Sequence, residues 1–197
     1  GQFIRSWAFH FSDGTLERSS RKFEKKKSLI LLFFFGIWVL AIDCVKAQSF
    51  RTITLSGNAT DFNNVEKYSA AANNTDYYVT FDAGNIYFGA FRTIGTFGST
   101  DNFTIYIDND PDATATSGTG TTTGQTYNGV SGSLPFSANY NVHVEESYQE
   151  ARSFGSNWAA TIAGVTYSTS ATAREVKIPF SSIGNPNSLY ITVWMGY

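Results

Sequence analysis

The sequence predicts an all-β protein, an antiparallel β-sandwich of jelly-roll-like form behind an N-terminal signal peptide. Three observations carry this. Short runs rich in β-branched and aromatic residues recur along residues 48–197, and several of them alternate apolar and polar positions. Turn signals separate the runs. No segment keeps a helical period for three turns.

The leader comes first. Lys25, Lys26 and Lys27 precede an apolar run from Leu29 to Ile42, which only Gly36 breaks, and Val45-Lys-Ala47 follows. A membrane-spanning helix needs about 20 apolar residues. The run is shorter and polar chain follows at once, so residues 25–47 read as a secretory signal peptide cut after Ala47. The alternative is an uncleaved anchor. Residues 1–24 read as an upstream segment outside the mature protein, with no folded role. Residue 1 is Gly and the single Met is Met195, so translation is expected to start elsewhere. Residues 48–197 form the expected domain. Its last strand pattern is still running at Tyr197, which predicts a parent protein that continues.

Within that domain Thr52-Ile-Thr-Leu55 alternates. Tyr77–Phe81 and Asn85–Phe91 flank Asp82-Ala-Gly84 and read as a hairpin. In Asn102–Asp108, Phe103, Ile105 and Ile107 share one face and Thr104 and Tyr106 the other. Tyr140–Val144, Val165–Tyr167, Ala173–Ile178 and Leu189–Trp194 complete the set. Asp112–Gly124, nearly all Thr, Gly, Ala and Ser, reads as a mobile loop. Glu145–Trp158 interrupts the strand pattern.

Composition excludes several classes. The chain has 197 residues, 42% hydrophobic and 16% aromatic, which suits one ordered domain. Residues 1–47 hold eight Lys/Arg and four Asp/Glu, a net of +4. Residues 48–197 hold six and twelve, a net of −6, and the two give the overall −2. Nucleic acid is therefore not an expected partner. Cys44 lies in the leader, so the mature domain has no thiol for a disulfide, a zinc site or a nucleophile. His143 is its single histidine and no G-x-S-x-G occurs, so no enzyme is expected. The expected location is secreted, extracellular or at the cell surface, with membrane contact only during export.

Four short motifs then carry a resemblance. Ile53-Thr-Leu-Ser-Gly57 with Asp61-Phe62 comes first. Tyr78-Val-Thr-Phe-Asp82 with Asn85-Ile-Tyr-Phe88 is next. Asn102–Asp108 is third, and Glu175-Val-Lys-Ile-Pro-Phe180 with Ser182-Ile-Gly184 is fourth. In this order they resemble the carbohydrate-binding modules of the family-nine-like sandwich superfamily, which also holds haem-binding modules of the DOMON type. The resemblance spans roughly residues 51–197. Phe62 and Phe81 stand where that family usually has tryptophan, and Ser56 replaces an Asp. The Asn/Thr/Tyr-rich composition is similar to exported Bacteroidetes proteins.

The resemblance implies a secreted, non-catalytic module that binds a polysaccharide or glycan, or serves a neighbouring catalytic domain. Sugar rings stack on aromatic faces while amides and carboxylates meet their hydroxyls. The candidate residues are Trp158, Tyr148, Tyr127 and Glu145, with Trp158 as the exposed platform or else a core residue. Asp108, Asp110 and Asp112 alternate after a strand and are the candidate metal ligands. Calcium is the one cofactor they point to, and a solvated acidic turn is the alternative. A structural or adhesive module without a sugar site is the second functional reading. A haem domain with His143 and Met195 as axial ligands is the third.

Overall fold

The computed structural model describes residues 51–68, 74–112 and 114–196 in full, and the backbone of 3–12 and 15–18. The expected signal peptide, residues 25–47, lies outside the described residues. Among these, strands dominate: β1 (Phe3–Ser12), β2 (Thr15–Arg18), β3 (Thr75–Phe81), β4 (Asn85–Arg92), β5 (Asn102–Asp108), β6 (Thr121–Thr123) and β7 (Ser133–Ala138). They continue with β8 (Tyr140–Val144), β9 (Gln149–Phe154), β10 (Trp158–Thr161), β11 (Thr166–Thr169), β12 (Ala173–Pro179) and β13 (Ser188–Gly196). No helix among the described residues is long and apolar enough to cross a membrane.

Two antiparallel sheets face each other. One has seven strands in the order β10-β9-β8-β5-β13-β1-β2, the other four in the order β11-β12-β4-β3. The period of two explains why they stick. Phe103, Ile105 and Ile107 of β5, Val142 and Val144 of β8, and Leu189, Ile191, Val193 and Met195 of β13 all point inward. They meet Val79 and Phe81 of β3, Ile86 and Phe88 of β4, and Val176 and Ile178 of β12 in one buried core. Each such side chain stabilises the fold by roughly 1.5–3 kcal/mol relative to exposure. The all-β sandwich is therefore the observed fold.

The expected hairpin is β3–β4, in the register Phe81↔Ile86. Its turn is held by Asp82, whose Oδ1 accepts the backbone N–H of Gly84 (2.8 Å) and of Asn85 (2.7 Å). Burial pushes the Asp82 carboxyl up. Hydrogen bonds from Tyr87, Gly84, Asn85 and Thr52 outweigh this and hold it at about 2.

Three expectations need correction. Thr52–Leu55 is not a strand: it lies over the outer face of the four-stranded sheet, where Ile53 joins Phe62, Tyr78, Tyr87 and Phe91. Alternation there serves docking of one side chain, not a ladder. Residues 3–12 and 15–18, expected to have no folded role, form β1 and β2, with β1 paired to β13 from Phe3↔Met195 to His10↔Ser188. Apolar residues at alternate positions (Trp7, Phe9, Phe11) give β1 the pattern of a strand. Finally, the presumed loops hold β6, β9 and the start of β10.

Candidate functional site

The outer face of the seven-stranded sheet carries the side chains that the core does not take. Across β5, β8 and β9 the register aligns Thr104 with His143 and Glu150, and Tyr106 with Asn141 and Arg152. Alternation turns all six away from the core. One end of this face is aromatic and covered. Leu134, Phe136 and Ala138 of β7 pack on Tyr106, Trp158 and Trp194. A Cβ on Gly132 would overlap the Trp194 indole, so a bare backbone is needed for that approach.

The other end is polar and partly open. A tight turn, Tyr127–Val130, hangs over it. Tyr127 and Val130 exchange two backbone hydrogen bonds (2.9 and 2.8 Å), and Asn128 (φ 49°) and Gly129 (φ 77°) both take the left-handed conformation of a type I′ turn. This turn lays the Tyr127 ring flat on the imidazole of His143, with centroids 3.6 Å apart and planes 12° apart.

His143 is held at both nitrogens, Nδ1 to the Thr104 hydroxyl (2.8 Å) and Nε2 to Glu145 Oε1 (3.1 Å). Burial lowers its pKa, and Glu145 and Glu150 only partly oppose this. The imidazole is therefore neutral at pH 7. A carboxylate only accepts, which assigns the single ring proton to Nε2 and makes Nδ1 the acceptor of the Thr104 hydroxyl.

Glu150 gathers the rest. It accepts the hydroxyls of Tyr127 (2.7 Å) and Tyr148 (2.8 Å) and two guanidinium donors of Arg152, Nε at 2.6 Å and Nη2 at 2.5 Å. Burial pushes its carboxyl up, but Arg152 and the two phenols prevail and hold it below the usual range. The phenols respond in the opposite direction: burial raises Tyr127, and the bond to Glu150 raises Tyr148. Arg152 Nη1 also reaches the carbonyls of Trp158 and Ala159, both at 3.4 Å, and ties β10 to the site. The Tyr127 hydroxyl also meets Asn141 Oδ1. Asn141 Nδ2 is buried with no partner among the described residues.

Three of the four sequence candidates, Tyr127, Tyr148 and Glu145, come together here. Tyr148 is 47% exposed and its ring centroid lies 6.0 Å from that of His143. The fourth is corrected. Trp158 is 8% exposed, edge-on to Tyr106 and Phe154, with its indole N–H donated to the Thr123 carbonyl at 3.2 Å. A register shift where β10 meets β9 places this ring under β6 instead of in solvent. Sequence reading missed His143, Asn128 and Glu150 as members of the site. The signals were present in the Asn128-Gly129 dipeptide and in the alternation of Tyr148, Glu150 and Arg152.

No protein-family model, curated protein or solved structure matches the chain. Its chemistry must be read from its own residues.

Two other candidate sets do not assemble. His143 lies on the outer face of its sheet, whereas Met195 is buried in the inner core, so the two cannot ligate one iron from either side. Asp108 is buried while Asp110 and Asp112 are exposed. Asp108 Oδ1 accepts the Asp110 N–H (3.0 Å), and Asp110 Oδ2 accepts the Thr119 hydroxyl (2.7 Å). Among the described residues no group of three or more His, Cys, Asp or Glu side chains is arranged to hold a metal ion. Asp108 and Asp110 instead take part in a hydrogen-bonded turn. Burial, with the charges of Asp110 and Asp112 behind it, pushes the Asp108 carboxyl up to about 7, against the pull of the Asp110 N–H.

Proposed function

We propose that this chain is an exported, non-catalytic module that binds a polysaccharide or glycan on the outer face of its larger sheet. One observation carries the reading: the half-exposed Tyr148 ring stands beside a fixed set of hydrogen-bonding groups from Tyr127, Glu145, Glu150 and Arg152. A sugar ring would lie on the Tyr148 face and offer its hydroxyls to Glu145 and to Asn128, whose amide lies 3.5 Å from Glu145. The resemblance to family-nine-like modules supports the same reading.

The competing reading is a structural or adhesive module. It is favoured by the fact that most of these polar groups already satisfy one another. Calorimetric titration with a panel of oligosaccharides separates the two. A sugar-binding module shows saturable heat that Tyr148→Ala removes. A structural module shows no heat with any member of the panel.

A further inference from the structure

We infer that this site selects sugars bearing a protonated amine and disfavours uronic-acid sugars, with Glu145 making the selection. The inference rests on the carbohydrate reading above and names the ligand class.

The two carboxylates of the site are not equivalent. Glu150 is answered in full: Arg152 supplies the opposite charge and two phenols fill its oxygens. Glu145 is not answered. Its Oε1 faces the neutral imidazole of His143 and the neutral amide of Asn128. Its Oε2 has no hydrogen-bond partner among the described residues, and the side chain keeps 14% of its surface in water. Arg174 feels the charge of Glu145 and Glu146 but is buried, and it donates through Nη1 and Nη2 to the carbonyls of Ser170, Ala173 and Gly98. The next residue, Glu146, is exposed and has no ion pair among the described residues.

The site therefore presents, beside an aromatic face, a carboxylate with no cation at hydrogen-bonding distance while His143 is neutral. An ammonium on a sugar ring is drawn to Glu145 Oε2, and a uronate placed there is repelled. The buried Asn141 Nδ2, unpaired next to Tyr127, is an independent sign that this cluster is not closed on itself.

The test uses the full 197-residue chain and matched oligomers: glucosamine oligomers, their N-acetylated counterparts and oligogalacturonates. Affinities are compared in low-salt buffer just below pH 7, where His143 is neutral and the sugar amines carry protons. The expected result is glucosamine oligomers binding about two- to fivefold tighter than the acetylated ones, the scale of one partly exposed ion pair, with uronates weakest. Added salt should shrink that ratio, because the contact is at the surface. Glu145→Gln should bring the ratio to unity. A ratio of unity in the native chain, a ratio indifferent to salt, or uronates binding tightest overturns the charge selection while leaving the sugar site in place. Absence of binding by every oligomer, neutral ones included, overturns the carbohydrate reading and this inference with it.

Discussion

Removing the Tyr148 ring takes away contact surface without opening a cavity. Tyr148→Ala should leave the unfolding free energy within about 0.5 kcal/mol of the native chain while sugar binding falls. Trp158→Ala should do the reverse, costing about 3–5 kcal/mol of stability in urea unfolding. The sequence signature of the two residues is nearly the same, an aromatic in a polar stretch. What separates them is the covering strand β6 and the register shift at β10, neither visible in local pattern. Asp108 makes a prediction of its own. Its folded pKa of about 7 lies above its ordinary 3.8, so the folded state holds the proton more tightly than the unfolded one. Its burden on stability is absent below about pH 4, grows as pH rises toward 7 and is constant beyond. Asp108→Asn keeps an oxygen for the Asp110 N–H and should flatten this decline and stabilise the protein at neutral pH. Glu175, pushed up to about 6 by burial, leaves a weaker slope of the same sign. Chemical unfolding across a pH series would show both.

At the level of elements, the strands that alternate cleanly were legible. β5 and β8 bury one face against the core with apolar residues at every second position, and β3 and β4, buried on both faces, read as aromatic runs on either side of the Asp82 turn. The missed ones lack that constraint. β7 contains Pro135, which argues against a central strand, and β9 buries only Ala151. β10 buries only Trp158. β9 and β10 pair with their neighbours in the chain, β8 and β9, and β7 with β6, so what hid them was the weak apolar alternation of their own residues. Much of the site sits on them and on the turn before β7, so the location of the site was less legible than the fold. The same turn offers a test. Gly129 has open space around it but a φ of 77°. Gly129→Val should therefore strain the backbone by about 1–2 kcal/mol without a clash. The expected effect is a displaced Tyr127 and weakened sugar binding that exceeds the loss of global stability. Circular dichroism melts and binding isotherms on the same variant would resolve the two.

On the scale of the whole molecule, the processing expected from the leader has a structural consequence. N-terminal sequencing of the exported protein should find Gln48. That cut would remove β1 and β2 and leave one edge of β13 without its partner. β13 runs Ser-Leu-Tyr-Ile-Thr-Val-Trp-Met-Gly with no charge and no proline, the composition of an edge that recruits other strands. A chain beginning at Gln48 should self-associate at lower concentration than the full chain, as light scattering would show. The place of β13 also sets a timetable. Its neighbours in the sheet are β5, made far earlier, and β1, made earlier still. Until residues 188–196 have been synthesised, the larger sheet lacks an interior strand, and the inner faces it joins stay apart. Pairings across such sequence separations are also slow to form. A growing chain of this design cannot complete its larger sheet until residue 196 has been made, and an unfolded chain is what a translocation channel can thread.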